Sequence, residues 1–90
     1  MELTWDPRKA GENLRRHGVR FSDTESVFYD PRAITVEDTS AIGEQRFATL
    51  GADAFGRLLV VVYAYRDTGI RVISARRPTA REVAAYEKEL

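Results

Sequence analysis

One apolar run in the second half of the chain constrains the fold most. Residues 57–65, RLLVVVYAY, are apolar almost throughout and rich in β-branched and aromatic side chains, which is typical of a strand buried on both faces. The next four residues, RDTG (66–69), have turn chemistry, and IRVISAR (70–76) follows as a second strand. The sequence therefore predicts an antiparallel hairpin whose first strand lies at the centre of a sheet.

Two more segments, AITVED (33–38) and RFATLG (46–51), alternate apolar and polar residues as half-buried strands do. Together with the hairpin they predict an antiparallel meander of about four strands. Ninety residues can enclose a single modest core, so we expect one domain over residues 1–90.

Capping residues indicate the first and last helices. Asp6 is a good N-cap, the proline after it fits a first helical position, and Gly18 fits a C-terminal stop. Asn13 would lie in the middle of this helix, where its propensity is poor, which predicts a specific side-chain hydrogen bond. Thr79 opens a capping box at the start of AREVAAYEKEL (80–90), which predicts the last helix.

A second helix is predicted between the first helix and the meander. Ser22 and Glu25 also have capping-box spacing, and Pro31 marks the point before which this helix would end. The predicted order is two N-terminal helices, the meander and a C-terminal helix, which describes a small α+β fold.

Charge is segregated along the chain, although the formal net charge is +0. Residues 57–81 contain six arginines and one acid, residues 22–53 contain seven acids and two arginines, and the first 21 residues are basic in balance. The two basic segments could converge into one positive face that suits an anionic ligand. The same numbers of acids and arginines would also occur if these residues formed scattered salt bridges instead of one positive face.

Composition argues against several classes of site. Cysteine is absent and histidine occurs once, so we expect no disulfide, no cysteine-ligated zinc and no histidine-rich metal site. No apolar run approaches the roughly 20 residues of a membrane span, and Met1 is followed by charged and turn residues. The sequence predicts a cytoplasmic protein with no cofactor and no membrane partner.

Several segments occur in the order and spacing of the BrnT toxin family of type II toxin–antitoxin systems. They are WDPRKAGENLRRHGVRF (5–21), VFYDP (27–31), Arg46, LLVVVY (58–63), IRVISAR (70–76) and REVAAYE (81–87). The chain resembles this family over nearly its whole length.

The resemblance implies a fold like that of the RelE-type ribonuclease toxins and a metal-independent endoribonuclease activity on cellular RNA. It also implies neutralisation by a BrnA-like antitoxin that carries a DNA-binding domain. The toxin would then form a hetero-oligomer with the antitoxin and reach operator DNA only through it.

The residues themselves also favour a metal-free nuclease, because the acids lie on caps, in turns or singly along strands. In such a reaction the RNA 2′-hydroxyl attacks the adjacent phosphate, which requires a base, cations near phosphorus and a donor for the leaving oxygen. Arginine supplies permanently charged, bidentate contacts to phosphate. The arginines of IRVISARR (70–77) are therefore proposed to hold the scissile phosphate.

Three arginines are proposed to be catalytic. Arg76 is the first choice because it lies where the last strand gives way to the helix, and Arg71 is in the same strand. Strict alternation would put Arg71 and Arg76 on opposite faces unless the strand bends or ends. Arg46 is either a second phosphate ligand or a surface partner of Glu37 or Glu44.

The other candidates each have a structural alternative. His17 is proposed as the general base, although a lone histidine at a helix end often caps or packs. Lys9 and Arg77 are proposed to contact the substrate, or they decorate the surface. Trp5 and Tyr63 could stack on a base, or they pack at the helix entry and in the core.

A function of another class fits the same basic face. The chain could be a non-catalytic nucleic-acid-binding subunit that acts as a co-repressor. RNA cleavage in excess EDTA would separate the enzyme from this alternative.

Overall fold

Five strands form one mixed sheet in the computed structural model, which describes residues 1–40 and 42–88. They are β1 (Glu2–Thr4), β2 (Ile34–Asp38), β3 (Arg46–Ala52), β4 (Leu58–Arg66) and β5 (Gly69–Arg76). Their order across the sheet is β1-β5-β4-β3-β2, with β2 to β5 antiparallel and β1 parallel to β5. The predicted antiparallel meander is confirmed.

The predicted count of about four strands is one too few, because β1 adds a fifth strand at an edge. β1 has only three residues, which is too short to show an alternating pattern, and it pairs with residues near the other end of the chain. A side chain at Gly69 would collide with the backbone of Glu2, so this close approach requires glycine.

β4 is the central strand, as its apolar run predicted. Leu59 and Val61 are both 0% exposed on one face, and Val60 is 4% exposed on the other. The last pair of the β4–β5 hairpin joins Arg66 to Gly69, which confirms the predicted turn.

A β-bulge interrupts β5 at Ile73. Tyr63 of β4 pairs with Val72, but the preceding Val62 pairs with Ser74, so Ile73 is left without a partner in the ladder. A bulge of this kind bends the strand and shifts its side-chain alternation by one residue.

The bulge places Arg71 and Arg76 on the same face of the sheet. Arg71 pairs with Ala64 and Arg76 pairs with Val60, and these two partners are four residues apart on one face of β4. The expectation of opposite faces held only for a regular strand, and the bend at Ile73 overturns it.

The first helix, α1 (Pro7–His17), has the predicted ends. The Asp6 carboxylate accepts a hydrogen bond from the backbone N of Arg8 at 2.9 Å. Gly18 adopts the left-handed conformation with φ of 70°, and its N donates to Leu14 O at 2.9 Å.

Asn13 of α1 makes the specific hydrogen bonds that its position predicted. Its side-chain nitrogen donates to Val19 O at 3.0 Å and to Ala75 O at 2.8 Å, and its side-chain oxygen accepts from Ala75 N at 3.1 Å. Asn13 is 6% exposed. Its carboxamide therefore satisfies the edge of β5 beyond the point where pairing with β1 ends.

The predicted second helix differs in detail from the structure. Two 3₁₀ turns occupy the segment, at Phe21–Asp23 and Glu25–Tyr29, and no side chain caps either of them. The buried Thr24 hydroxyl donates to the backbone oxygen of Phe21 at 2.7 Å. A bond to a carbonyl three residues earlier favours a tight 3₁₀ backbone, and Ser22 consequently lies inside a turn rather than at an N-cap.

The last helix, α2 (Ala80–Glu87), opens with the predicted capping box. Thr79 Oγ1 accepts from Glu82 N at 3.2 Å, and the Glu82 carboxylate accepts from Thr79 N at 2.8 Å. The prediction extended this helix to residue 90, and residues 89–90 lie outside the described part of the chain. No helix among the described residues is long and apolar enough to cross a membrane.

Side chains are buried on both faces of the sheet. α1 and the 3₁₀ turns cover one face, where the larger cluster comprises Val19, Phe21, Val27, Leu59, Val61, Tyr63, Ile70, Val72 and Ala75. On the other face Tyr86 of α2 packs on Leu50 and Val60. The Tyr86 hydroxyl also donates to Asp30 at 2.6 Å, which fixes α2 to the loop before β2.

Candidate active site

The sheet face that carries α2 is only partly covered. α2 packs on one end of it through Tyr86, whereas Val36 further along the face is 58% exposed. We call this surface the arginine face. It comprises Ile34, Val36 and Asp38 of β2, Arg46, Ala48 and Leu50 of β3, Val60, Val62, Ala64 and Arg66 of β4, and Arg71, Ser74 and Arg76 of β5.

Three arginines of this face converge on Glu44, which lies in the loop between β2 and β3. Arg46 donates through Nε to Oε1 at 2.9 Å, and Arg66 donates through Nη2 to Oε2 at 2.9 Å. Arg71 Nη2 lies 2.8 Å from both oxygens. We call this group the Glu44 cluster.

The Glu44 cluster keeps an excess of positive charge, because three guanidinium groups share one carboxylate. Hydrogen bonds from Arg66 and Arg46 lower the pKa of Glu44 to about 2. The four side chains remain between 27% and 43% exposed. An incoming anion could therefore meet guanidinium groups that Glu44 already holds in place.

Arg71 also has an unused donor. Its Nε is buried and has no hydrogen-bond partner among residues 1–40 and 42–88. A buried donor without a partner typically costs about 1–3 kcal/mol, so this nitrogen is a local cost of the geometry that holds Arg71 on Glu44.

Arg76 forms a separate ion pair with Glu82 of α2. Nη1 lies 2.8 Å from Oε1 and Nη2 lies 2.9 Å from Oε2, which is the bidentate geometry of strong arginine–carboxylate pairs. These hydrogen bonds raise the pKa of Arg76 and lower the pKa of Glu82 to about 2. The Arg76 side chain is still 38% exposed.

His17 lies beside the strand that carries Arg71 and Arg76. It lines a cavity of about 230 Å³ with Ser74, which is on the arginine face between the two arginines. His17 and Lys9 are both exposed. The full lining is Lys9, Glu12, Asn13, Arg16, His17, Ile73 and Ser74.

Trp5 and Tyr63 lie with the core on the opposite face. The Trp5 ring packs edge-on against Phe21, with centroids 6.2 Å apart. Tyr63 is 2% exposed and its hydroxyl shares a 2.8 Å hydrogen bond with Thr49. The structural alternatives describe both residues, so neither is kept among the proposed substrate contacts. Arg77 is exposed directly after β5.

Sequence reasoning missed Glu44 and Arg66 as members of the site. Glu44 was considered only as a surface partner of Arg46, and Arg66 only as part of the predicted turn. Arg66 follows Ala64 by two residues in β4, so the alternation of that strand could have assigned it to the face of Arg71. Nothing local to Glu44 indicated that its loop would fold back over three arginines.

The arginine face can stabilise a phosphate whose charge increases during a reaction. Preorganised charged donors of this kind act most strongly on the transition state of phosphoryl transfer. Within the described ranges, 1–40 and 42–88, no group of three or more His, Cys, Asp or Glu side chains is placed to hold a metal ion.

Two comparisons with known proteins agree with this architecture. The family model described as the ribonuclease toxin BrnT of type II toxin–antitoxin systems matches residues 5–82. A 1.1 Å crystal structure of the ribonuclease toxin BrnT from Brucella abortus aligns with a TM-score of 0.69 and 22% sequence identity, over 88% of this chain and 97% of that chain. The structural likeness confirms the α+β fold. A comparison with curated proteins gives no match.

Proposed function

The chain belongs to the BrnT family of ribonuclease toxins of type II toxin–antitoxin systems, and from this we propose that it is a metal-independent endoribonuclease that cleaves cellular RNA. The observation that carries the proposal is the convergence of Arg46, Arg66, Arg71 and Arg76 on one partly open sheet face. Arg46, Arg66 and Arg71 all bind the single carboxylate of Glu44. The positive charge that remains suits a polyanion.

In the proposed reaction the RNA supplies its own nucleophile. The 2′-oxygen forms a bond to the adjacent phosphorus while the bond from phosphorus to the 5′-oxygen breaks. The 2′-hydroxyl proton passes to a base, and the leaving 5′-oxygen takes up a proton. The products are a 2′,3′-cyclic phosphate and a 5′-hydroxyl end.

Arginine contacts to the non-bridging oxygens would stabilise the negative charge that builds up in this transition state. Arg46, Arg71 and Arg76 are proposed for this role. His17 is proposed as the general base, supported by its place in a cavity beside Ser74. Lys9 in the same cavity and Arg77 after β5 are proposed to contact neighbouring phosphates.

The proposed partner is a BrnA-like antitoxin. An acidic or helical segment laid over the arginine face would satisfy its guanidinium groups and exclude RNA in one step. Operator DNA would be bound only by the hetero-oligomer, through the DNA-binding domain of the antitoxin. We propose that this system acts in the cytoplasm.

Incubation of the purified protein with RNA in excess EDTA tests the proposal. We expect cleavage products that end in a 2′,3′-cyclic phosphate and a 5′-hydroxyl. RNA that is retarded in a gel but remains intact would instead support a non-catalytic co-repressor, and cleavage that stops in EDTA would contradict metal independence.

A further inference from the structure

We infer that the arginine face contains two separate phosphate-binding subsites, so that it binds a single-stranded RNA segment through at least two phosphates. The inference rests on the proposed function and specifies its substrate. One subsite is the Glu44 cluster. The other is centred on Arg76.

The strand register separates the two subsites. Arg71 pairs with Ala64 of β4. Arg46 lies at the same end of the face as Arg71, because it directly precedes Phe47, which pairs with Tyr63. At the other end of the face, Arg76 pairs with Val60. Val60 and Ala64 are four positions apart in β4, which corresponds to about 13 Å at about 3.3 Å per residue.

The ion pairs hold the two subsites apart. Arg71 is bound to Glu44 near the start of β3, whereas Arg76 is bound to Glu82 in α2. Charge-assisted contacts to phosphate are only about 2.7–2.9 Å long, so one phosphate could not contact both arginines while these pairs persist. The geometry favours one phosphate at each end.

Both ends have more arginines than carboxylates. At the first end, three arginines share Glu44 and still outnumber the carboxylates when Asp38, the register partner of Arg46, is counted. Near Glu82 the segment 76–82 contains Arg76, Arg77 and Arg81, and the last two are exposed. Each end therefore retains positive charge after its internal ion pair is counted.

The surface between the subsites is mostly apolar. Val36, Ala48, Val62 and Ser74 form a continuous row across four strands, because each is the register partner of the next. Val36 is 58% exposed, and Ala48 and Val62 are partly exposed. A splayed base could rest on this row, whereas the bases of a duplex are paired and stacked away from the protein. The occupant is therefore single-stranded RNA.

The salt dependence of the binding constant reports how many phosphates the protein contacts. For single strands, the slope of log K against log salt falls by about 0.7 for each phosphate that is no longer neutralised. The ligand is a 2′-O-methyl RNA oligonucleotide, which lacks the nucleophile and stays intact. The proteins are the parent, Arg46→Gln, Arg76→Gln, the double variant and Arg8→Gln, since Arg8 is 84% exposed and outside the arginine face.

Two subsites predict that Arg46→Gln and Arg76→Gln each lower the slope by about 0.7 and that the double variant lowers it by about 1.4. Arg8→Gln should keep the parent slope. A double variant that loses only about 0.7 in total would show a single shared phosphate and overturn the inference, as would a parent that does not bind the oligonucleotide. Should a glutamine variant unfold by circular dichroism, the corresponding lysine variant must bind with the parent slope, and a changed slope there would also contradict the inference.

The cleavage assay in EDTA distinguishes this inference from the proposed function. If RNA is cleaved in EDTA but the double variant lowers the slope by only about 0.7, the ribonuclease function stands and the two subsites are wrong. If RNA stays intact but the double variant lowers the slope by about 1.4, the two subsites stand and the ribonuclease function is wrong.

Discussion

The Asn13 carboxamide pairs with both backbone polar groups of Ala75, which is 62 residues away in the chain. This contact joins α1 to the edge of β5 two residues after the bulge at Ile73. Asn13 also lines the cavity that contains His17 and Ser74. The same side chain therefore holds α1, the helix that carries His17, against the edge of β5.

Replacement of Asn13 by alanine should destabilise the protein by about 2–3 kcal/mol, because it leaves buried backbone groups of Ala75 and Val19 without partners. Urea denaturation followed by circular dichroism measures the change. The matched control is Glu12→Ala on the same helix, whose side chain is 60% exposed and which should change stability by less than about 0.5 kcal/mol. Equal stability of the two variants would contradict the assigned role of Asn13.

Arg76→Ala and Arg46→Ala should each slow RNA cleavage on the order of a hundredfold, because loss of one preorganised donor typically costs about 3 kcal/mol in the transition state. Both side chains are partly exposed, so the variants should remain folded. Initial rates on a fixed RNA, with Arg8→Ala as control, give the comparison. A variant that cleaves RNA as fast as the parent would show that the replaced arginine is not catalytic.

His17→Ala should reduce the cleavage rate about a hundredfold or more, since a positioned general base usually contributes that much. A rate within about twofold of the parent would place the general base elsewhere.

Acid should weaken the Glu44 cluster. The pKa of Glu44 is about 2 in the folded protein, against an ordinary value of 4.5. A lowered pKa contributes stability that is fully present above 4.5 and is lost as pH falls towards 2. The difference in unfolding free energy between the parent and Glu44→Gln should therefore shrink over that interval. A difference that stays constant down to pH 2.5, measured by urea denaturation, would show that the ion pairs do not stabilise the fold.

The protein alone should bind operator DNA weakly or not at all, with affinity appearing only when the antitoxin is added. The acidic segment 22–53 disfavours autonomous binding to a duplex. Gel shifts with the toxin, the antitoxin and their mixture, at one fixed salt concentration, measure this directly. Sequence-specific retardation by the toxin alone would favour the co-repressor function.

Local patterns predicted most of the fold. The apolar run of β4, the turn before β5 and the caps of α1 and α2 each depend on neighbouring residues, and each was correct. β1 was missed because its pairing is not local. The 3₁₀ turns were mistaken for a helix because the capping-box spacing of Ser22 and Glu25 was present, while the bond from Thr24 back to the chain was not visible in the pattern.

The candidate site was predictable only in part, because its ion pairs, like the pairing of β1, join residues that are distant in the sequence. Arg46, Arg71 and Arg76 stood out by residue type, and the structure brings all three to one face. Their separation into two groups depends on Glu44 and Glu82, whose partners are set by tertiary packing.

The bulge at Ile73 decides which side of the sheet Arg76 occupies. If Ile73 paired with Val62 in a regular ladder, Arg76 would pair with Leu59 and face the hydrophobic core, on the side opposite to Arg71. Deletion of Ile73 would instead leave Ser74 directly after Val72, and the two arginines, now four positions apart, would stay on the same face. A redesign of this strand can therefore exchange many side chains, but it must keep either the bulge or an even spacing between the two arginines.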